Sequence, residues 1–368
     1  MRRYNKGMPF SDALLEIFPP PAAILMPAAG IDIGARSVKF ALLKGPLGAA
    51  TLETYTDMQL KEPALQSGEI LKRDMLVEVL RSFRLKHGIR YANTCLPERT
   101  AYLYQLLVPQ GADIRESVEA SLELHVPVPP AEVIFDFERM RSIKAGTVIA
   151  VTAYPRKTAD AYASLFRDAG IVLRSLEVES QSLARAVLSE EDRVRTVMVV
   201  DFGTSATRIA IAEGGVVAFT ATLDVGGNAL TRAVMKNFGV EEAEAEKIKN
   251  ERGFIMNREN QALVETLIAT ASAIKDEIAR NLLYWNASSD GDIARKPVEK
   301  IIAAGGHANL RGFPEYLESS MNLPVRLANV WTNAFSLDEY VPELPFQASL
   351  EYAVPAGLAL RGGLTGAW

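Results

Sequence analysis

Two aspartates in this chain each follow a short apolar stretch and precede a glycine turn that carries small hydroxyl side chains. The first stretch reads IDIGARSVKF at 31–40, and the second reads VDFGTSATRI at 200–209. A glycine without a Cβ lets backbone N–H groups approach a phosphate closely, and a Ser or Thr hydroxyl adds a donor. An Asp at a strand tip can hold a hydrated Mg²⁺. Two copies of one strand–turn–strand pattern predict a duplicated domain with one nucleotide between the halves.

These turns supply the first candidate binding residues. We expect Asp32 and Asp201 to face a metal ion through water, from opposite halves of the chain. An ordinary interpretation stays open, since β-hairpins use Asp and Gly and a carboxylate can cap a turn. The expected phosphate-end contacts are Gly34, Ala35, Arg36, Ser37 and Lys39 in the first half, and Gly203, Thr204, Ser205 and Gly227 in the second.

The composition is that of an ordinary globular protein and argues against several kinds of site. Hydrophobic residues make up 48% of the 368 residues, and the formal net charge of −5 argues against binding by broad neutralisation of nucleic acid phosphates. One cysteine, Cys95, allows no internal disulfide and fits a reducing cytosol, and three scattered histidines give no zinc-type cluster. No apolar run reaches the roughly 18–20 residues that span a bilayer.

Residues 1–29 form an N-terminal extension. Basic residues precede an apolar stretch there, as in a signal peptide, but Asp12 and Glu16 interrupt that stretch. Three consecutive prolines at 19–21 then end any helix. We interpret the extension as a short helix or tail that packs on the body, with a membrane-surface or partner-docking helix as the alternative.

Hydrophobic periodicity predicts a mixture of strands and helices. A helix is predicted over about 73–87, and the region from about 97 to 176 has the order β-α-β-β-α-β. That order is typical of a ferredoxin-like unit and indicates an insertion within the first half. The run 196–202 is apolar on both faces, as expected for a buried central strand. Later helices are predicted at about 241–250, 260–286 and 348–361.

The two turns resemble the phosphate motifs of the superfamily that contains actin, Hsp70 and the sugar kinases. AGGHANL at 304–310 resembles its adenosine motif, 176–186 its first connecting helix, and 245–249 with Gly253 the helix that contacts ribose and base. Within this superfamily the chain is most similar to the PilM family of type IV pilus assembly proteins. That similarity covers nearly the whole chain from about residue 18 and is carried by 18–32, 119–137, 224–231 and 310–317.

The resemblance implies an α/β fold, namely a duplicated actin-like (ribonuclease H-like) ATPase fold with an inserted ferredoxin-like α+β subdomain. An extra unit inside the first half is typical of the PilM and FtsA branch rather than of actin or MreB. The implied division is 30–96 for the first part of subdomain 1A, 97–176 for the inserted subdomain 1C, 177–195 for the rest of 1A and the connecting helix, 196–238 for the first part of subdomain 2A, 239–290 for subdomain 2B, and 291–368 for the rest of 2A and a C-terminal helix.

Roles at the adenosine end of the site are also implied by the resemblance. The glycines would let adenine and ribose approach the backbone, whereas His307 stands where relatives have a small residue and would either stack on the base or obstruct it. Glu246 and Lys249 would contact the ribose, with a solvated surface pair as the alternative. The implied adenosine contacts are Gly305, Gly306, His307, Asn309, Glu246 and Lys249.

Hydrolysis has the weakest support in the sequence. Glu179 stands where relatives place an acidic or amide residue before a proline, and it would orient the attacking water. Here Ser180 replaces that proline, and an acid in the first turn of a helix is equally explained by the helix dipole. We therefore expect binding of ATP and Mg²⁺, with slow or absent hydrolysis.

The function implied is that of a cytoplasmic, ATP-binding component of a type IV pilus or related secretion machine, recruited to the inner face of the cytoplasmic membrane. A PilN-like inner-membrane protein is the implied partner, its N-terminal tail docking between the first domain core and the insertion, with contacts along 102–137. ATP would bias domain closure and thereby that groove. Contacts with other pilus platform components and self-association stay open.

Two other functions compete with this one. An FtsA-like, filament-forming division scaffold shares the branch, but such chains end in a linker and a basic amphipathic helix, whereas this sequence ends in LTGAW at 364–368. A small-molecule kinase would need a catalytic base beside a sugar pocket, and the sequence has no such signature.

Overall fold

A computed structural model describes residues 27–361, apart from 46–47, 67, 288 and 291–292. Most of the predicted N-terminal extension (1–26) and the last residues (362–368) therefore lie outside the described residues. Among the helices described, none combines the length and the apolar character that crossing a bilayer requires.

The elements up to residue 187 alternate between strands and helices. The helix predicted over about 73–87 is confirmed. These elements are β1 Ala29–Ile33, β2 Ser37–Lys44, β3 Thr51–Gln59, β4 Leu65–Gln66, β5 Glu69–Ile70, α1 Arg73–His87, β6 Tyr91–Leu96, β7 Tyr102–Pro109, α2 Ile114–His125, β8 Val133–Ile143, β9 Gly146–Pro155, α3 Arg156–Ala169, β10 Val172–Val178 and α4 Glu179–Val187.

The remainder of the described chain opens with a fully buried strand, as predicted for 196–202. Its last predicted helix is divided, because a 3₁₀ turn at Leu350–Tyr352 separates two helical pieces. The elements are β11 Thr196–Phe202, β12 Thr207–Glu213, β13 Val216–Leu223, α5 Gly227–Phe238, α6 Glu242–Arg252, α7 Gln261–Ala287, β14 Ser289–Asp290, β15 Ile293–Ala294, β16 Lys300–Ala304, α8 Phe313–Met321, β17 Val325–Leu327, α9 Phe346–Ser349 and α10 Ala353–Leu360.

Two five-stranded sheets have the same topology, so the duplication inferred from the turns is present in the fold. The first has the order β3-β2-β1-β6-β10, and the second has the order β13-β12-β11-β16-β17. In each sheet an antiparallel meander of three strands is followed by two parallel strands. We call the half built on the first sheet the first lobe and the half built on the second sheet the second lobe.

The inserted unit is a three-stranded sheet with the order β7-β9-β8, covered by α2. The predicted element order β-α-β-β-α-β is found, but the last strand pairs elsewhere. β10 runs parallel to β6 in the first large sheet, and α3 packs its apolar face on that sheet through Tyr162, Leu165 and Phe166. The insertion therefore has one strand fewer than a four-stranded ferredoxin-like sheet, because β10 pairs instead with β6 at the edge of the first large sheet.

Helices α4 and α10 lie between the two large sheets. Gly30 on β1 and Gly357 on α10 make this close approach possible, since an added Cβ at Gly30 would lie 2.6 Å from the Ala359 backbone nitrogen. An added Cβ at Gly357 would overlap the Ser182 carbonyl oxygen on α4. The Ser182 hydroxyl also donates to the Val354 carbonyl at 2.8 Å. The helix pair thus forms one packed layer that joins the lobes.

We predict that Gly357→Ala lowers the free energy of unfolding by about 2–3 kcal/mol, because backbone atoms of α4 leave no room for a methyl group. Urea denaturation followed by far-UV circular dichroism measures this change. Leu85→Ala is the control, since Leu85 is 78% exposed on α1 and its truncation should change stability by no more than about 0.5 kcal/mol. Equal stability of the two variants would contradict the close contact.

Candidate functional site

The two glycine turns have the same backbone geometry. The Gly34 N–H donates to the Ser37 carbonyl at 2.9 Å, and the Gly203 N–H donates to the Ala206 carbonyl at 3.1 Å. Each turn joins the two central antiparallel strands of its sheet, β1 to β2 and β11 to β12. In both lobes the register places a basic residue opposite the aspartate, Lys39 opposite Asp32 and Arg208 opposite Asp201.

Backbone contacts from neighbouring segments hold both turns in place. In the first turn the carbonyls of Ala35 and Arg36 accept hydrogen bonds from the N–H groups of Ala64 and Leu60, both at 2.8 Å. In the second turn the Gly203 carbonyl accepts from the Gly227 N–H at 3.0 Å. The predicted binding residue Gly227 therefore uses its own N–H to fix the turn, at the start of α5.

The second turn has a further contact with the start of α5. The Asn228 N–H donates to the Thr204 carbonyl at 2.9 Å, and an added Cβ at Gly226 would lie 2.6 Å from the Gly203 carbonyl oxygen. Ser205 itself is exposed, at the tip of this turn. The tip thus faces solvent while its base is held by backbone hydrogen bonds.

One guanidinium joins the acids of the two lobes. Arg208 Nε lies 2.6 Å from Glu179 Oε2 at the start of α4, and Arg208 Nη1 lies 3.0 Å from Asp201 Oδ2 at the tip of β11. Burial and the Arg208 charge act in opposite directions on the pKa of Asp32 and of Glu179. Burial prevails in both cases, raising the pKa of Asp32 above its usual value and that of Glu179 to about 8. The nearby carboxylates also raise these pKa values.

A fourth acid, Glu98, pairs with Ser180, the residue that follows Glu179. The buried Glu98 carboxylate accepts from the Ser180 backbone N–H at 3.1 Å and from the Ser180 hydroxyl at 2.9 Å. A proline has no N–H, so it could not make the first of these bonds. Ser180 thus gives the buried Glu98 carboxylate two hydrogen-bond donors, neither of which a proline would supply.

The adenosine-type turn contacts the second phosphate-type turn directly. Gly305 has φ +88°, a conformation that favours glycine, and an added Cβ there would overlap Asp201 Oδ1. An added Cβ at Gly306 would lie 2.8 Å from Glu351 Cγ. Glu351 in turn accepts from Lys39 Nζ at 2.5 Å. A chain of contacts therefore runs from the Gly306 turn through Glu351 to β2 of the first lobe.

His307 fills the space beside the start of α5. An added Cβ at Gly227 would overlap the His307 ring, and the ring centroid lies 5.7 Å from that of Phe202. Burial and the Lys249 charge lower the pKa of His307 to about 4, so the ring is neutral at pH 7. Asn309 is turned away from this space and donates to the Gln347 carbonyl at 3.4 Å.

Lys249 and Glu246 form a network with Thr231 between α6 and α5. Lys249 is 0% exposed, and its Nζ donates to Glu246 Oε1 at 2.9 Å and to the Thr231 hydroxyl at 2.7 Å. The alternative interpretation of this pair as solvated surface is therefore wrong for Lys249. The His307 pKa is sensitive to both charges, so the pair lies close to the adenosine-type turn.

The two tip aspartates, Asp32 and Asp201, are the side chains that would hold a metal ion through water. Within the described part of the chain, no group of three or more His, Cys, Asp or Glu side chains is arranged to hold a metal ion. Asp201 Oδ2 is already bonded to Arg208. A Mg²⁺ held by Asp32 and Asp201 would share the Asp201 carboxylate with Arg208.

A cavity of about 800 Å³ lies between the inserted sheet, α4 and the turn that joins β12 to β13. Inside it, Arg185 forms two hydrogen bonds with the buried Glu177, at 2.6 and 2.7 Å, and Gln181 donates to Glu138 at 3.0 Å. Its lining includes Leu96, Ile134, Phe135, Asp136, Phe137, Glu138, Thr152, Tyr154, Glu177, Gln181, Ala184, Arg185, Gly214, Gly215, Val217 and Arg361.

A protein-family comparison decides the kind of protein to which this site belongs. The sequence model of the family described as type IV pilus assembly protein PilM matches residues 30–363. The chain belongs to this family. The family resemblance stated from the motifs is therefore confirmed, and the match extends across both lobes and the insertion.

Comparisons with individual proteins agree on the fold. A solved PilM–PilN type IV pilus biogenesis complex is similar with a TM-score of 0.74 and 21% identity, covering 93% of this chain and 100% of that chain. The ADP-bound MreB5 of Spiroplasma citri gives a TM-score of 0.52 at 14% identity over 90% and 94% of the two chains. The ethanolamine utilization protein EutJ of Carboxydothermus hydrogenoformans gives 0.52 at 16% identity over 92% and 93%. These likenesses confirm the actin-like α/β fold.

A curated sequence relative is the cell division protein FtsA of Neisseria meningitidis serogroup B. It is 27% identical over an alignment of 173 residues, and the match covers 42% of this chain and 42% of FtsA. The chain therefore spans less than half of the length of that relative.

Three residues of the site were missed by sequence reasoning. Arg208 belongs to the quoted second turn, and the aspartate-to-basic pairing across a tight turn was a signal that could have identified it. Glu98 is 82 residues from its partner Ser180 in the sequence, and Glu351 is 312 residues from its partner Lys39. No local sequence pattern indicates either contact.

We predict that Ser180→Pro lowers the free energy of unfolding by about 1–3 kcal/mol, because Glu98 loses a backbone donor and a hydroxyl donor while staying buried. A proline fits the first turn of a helix, so α4 itself should tolerate it. Ser180→Ala is the control that keeps the N–H and should cost less.

Chemical denaturation of the single variants and of a Glu98→Gln/Ser180→Pro double variant measures the coupling. The double variant should recover part of the lost stability, since a neutral side chain costs less to bury than a carboxylate. Strict additivity of the two single changes would contradict the proposed pairing.

Proposed function

We propose that this chain is an ATP-binding type IV pilus assembly protein that joins a nucleotide cleft to a binding site for a membrane partner. The observation that carries the proposal is the pair of turns with one geometry, whose aspartates belong to opposite lobes and share the charge of Arg208. Membership of the PilM family supports the pilus role, and an ADP-bound MreB5 of the same fold supports the nucleotide.

In this proposal the phosphates lie between the two turn tips. Backbone N–H groups and hydroxyls along 35–37 and 204–205 would donate to them, as short glycine-containing turns do elsewhere. The adenosine would lie toward Gly305, His307 and the Glu246–Lys249 pair. His307 is neutral at pH 7 and would offer its ring face for stacking rather than a charge.

Hydrolysis is proposed to be slow or absent. The predicted water-orienting residue, Glu179, has its carboxylate bonded to Arg208 at 2.6 Å. An oxygen that is already bonded to a guanidinium is not free to orient an attacking water. The cleft is thus better suited to binding a nucleotide than to cleaving it.

We predict that Ser205→Asp weakens ATP binding at least about tenfold, because a carboxylate at the exposed tip of the second turn repels the phosphates. Isothermal titration calorimetry measures the dissociation constants. Ser336→Asp is the matched control, an exposed serine outside the cleft that should leave affinity unchanged. Undetectable ATP binding by the wild type, or equal effects of the two variants, would refute the nucleotide site.

The partner is proposed to be the N-terminal tail of a PilN-like inner-membrane protein, seated in the 800 Å³ cavity. The PilM–PilN complex among the similar structures supports this partner class. β8 is an edge strand of the inserted sheet, and residues 134–138 on it line the cavity, so an extended tail could add to that edge. Of the predicted contact region 102–137, this assigns only the last part.

Nucleotide and partner would influence one another through the lobes. The cavity is lined by β8 of the insertion, by α4 and by Gly214–Val217 of the second lobe. A change in the angle between lobes on nucleotide binding would therefore change the width of the cavity, provided that ATP binds one arrangement more tightly. Binding to a membrane-anchored partner would hold the protein at the inner face of the cytoplasmic membrane.

We predict that Ile134→Gln weakens binding of a synthetic PilN-like N-terminal tail by at least about fivefold, because a polar amide replaces apolar lining of the cavity. Fluorescence anisotropy with a labelled peptide measures the affinity. Leu124→Gln is the control, since Leu124 is 84% exposed on α2 and does not line the cavity. Unchanged affinity of Ile134→Gln would place the tail elsewhere.

The FtsA-like filament-forming scaffold remains the alternative function. The sequence match to FtsA supports it over 42% of the chain, whereas the PilM family match extends over residues 30–363. We therefore keep the pilus assembly role as the proposed function.

A further inference from the structure

We propose that Arg208 supplies, within the protein, the positive charge that a divalent cation would otherwise supply between the two lobes, so that ATP affinity in this chain does not depend on Mg²⁺. This inference rests on the proposed nucleotide site and names its metal requirement.

The position of the guanidinium is the first argument. Arg208 lies directly opposite Asp201 across the second turn, and it bonds both the Asp201 carboxylate of the second lobe and Glu179 at the start of α4. An added Cβ on Gly203 would lie 3.8 Å from Arg208 Nη1, so the guanidinium is beside the turn that would receive the phosphates. The guanidinium therefore already bonds one of the two tip carboxylates that would hold a shared cation.

The second argument is the charge around that place. The carboxylates of Asp32, Asp201, Glu179 and Glu98 all act on Arg208 and raise its pKa, with Glu179 the strongest. One guanidinium is therefore already the common counter-charge of acids from both lobes. A Mg²⁺ held by the same carboxylates would stand a few ångströms from a fixed positive charge, and the repulsion disfavours it.

The two lobes differ in this respect. In the first lobe the equivalent residue, Lys39, reaches away from the tip to Glu351 at 2.5 Å and to Asp57 at 3.7 Å. A lysine is a point charge on a flexible stem, whereas the planar guanidinium can bond two carboxylates at once and still present further N–H groups. The Arg208 side chain is 33% exposed, which leaves an edge available to a phosphate oxygen.

The first experiment measures ATP affinity of the full chain by calorimetry, with Mg²⁺ and with EDTA. We expect the wild-type dissociation constants to agree within about threefold. Arg208→Gln should lose at least about tenfold affinity in EDTA and regain part of it with Mg²⁺. Arg232→Gln, an exposed arginine on α5, is the control and should behave as the wild type.

Arg208→Lys gives a second variant in case the glutamine variant folds poorly. It keeps the charge but cannot bridge Glu179 and Asp201, so its dependence on Mg²⁺ should lie between those of the wild type and Arg208→Gln. A wild type that loses more than about tenfold affinity in EDTA, with the same ratio in both variants, overturns the inference but leaves the nucleotide site intact. Absence of ATP binding in either buffer overturns both proposals.

A second readout needs no nucleotide. Electron paramagnetic resonance of Mn²⁺ added to the nucleotide-free protein reports metal held by the carboxylates. We expect the wild type to leave Mn²⁺ free and Arg208→Gln to bind it. Mn²⁺ binding by the wild type that is lost in Asp201→Asn would overturn the inference, whatever the ATP titrations give.

Discussion

The ion pairs of Arg208 are the constraint on which the arrangement of the cleft depends. Four carboxylates from distant segments converge where the two lobes meet, and burying acids together is unfavourable unless cations or donors compensate them. Arg208 compensates Glu179 and Asp201 directly, and Ser180 satisfies Glu98. Arg208 therefore fixes the start of α4 against the tip of β11, where the two lobes meet.

Helix α4 connects this cleft to the cavity on the other side. Its first residue, Glu179, bonds Arg208 in the cleft, while Gln181 and Arg185, two and six residues further on, line the cavity. α10 packs so closely against α4 that Gly357 has no room for a side chain. A rigid, tightly packed helix pair transmits a small displacement at one end to the other, because a close-packed layer has few alternative arrangements. This helix layer lies between the two lobes and contacts both of them.

The fold of this protein is shared with its family, whereas the contacts in its cleft depend on individual side chains. The fold follows that of a PilM–PilN complex at 21% identity, which shows how few residues are needed to keep two sheets of one topology. Ser180 pairs with Glu98, and Arg208 pairs with Glu179 and Asp201. These contacts of individual side chains determine how the buried acids of this chain are compensated.

The sequence by itself determined the two turns, the main helices, the buried strand at 196–202 and the family. The turns, helices and strand depend on residues that are close in sequence, where glycine, alternation and helical periodicity have direct conformational meaning. The family is indicated by several short motifs along the chain. Only the tertiary structure decided that β10 joins the first large sheet, that Lys249 is buried, and that a cavity opens beside α4. It also decided which charges meet. Lys39 and Glu351 lie 312 residues apart, and Glu98 and Ser180 lie 82 apart. No local pattern contains such pairs, because they exist only once the sheets, the helix pair and the insertion have packed together.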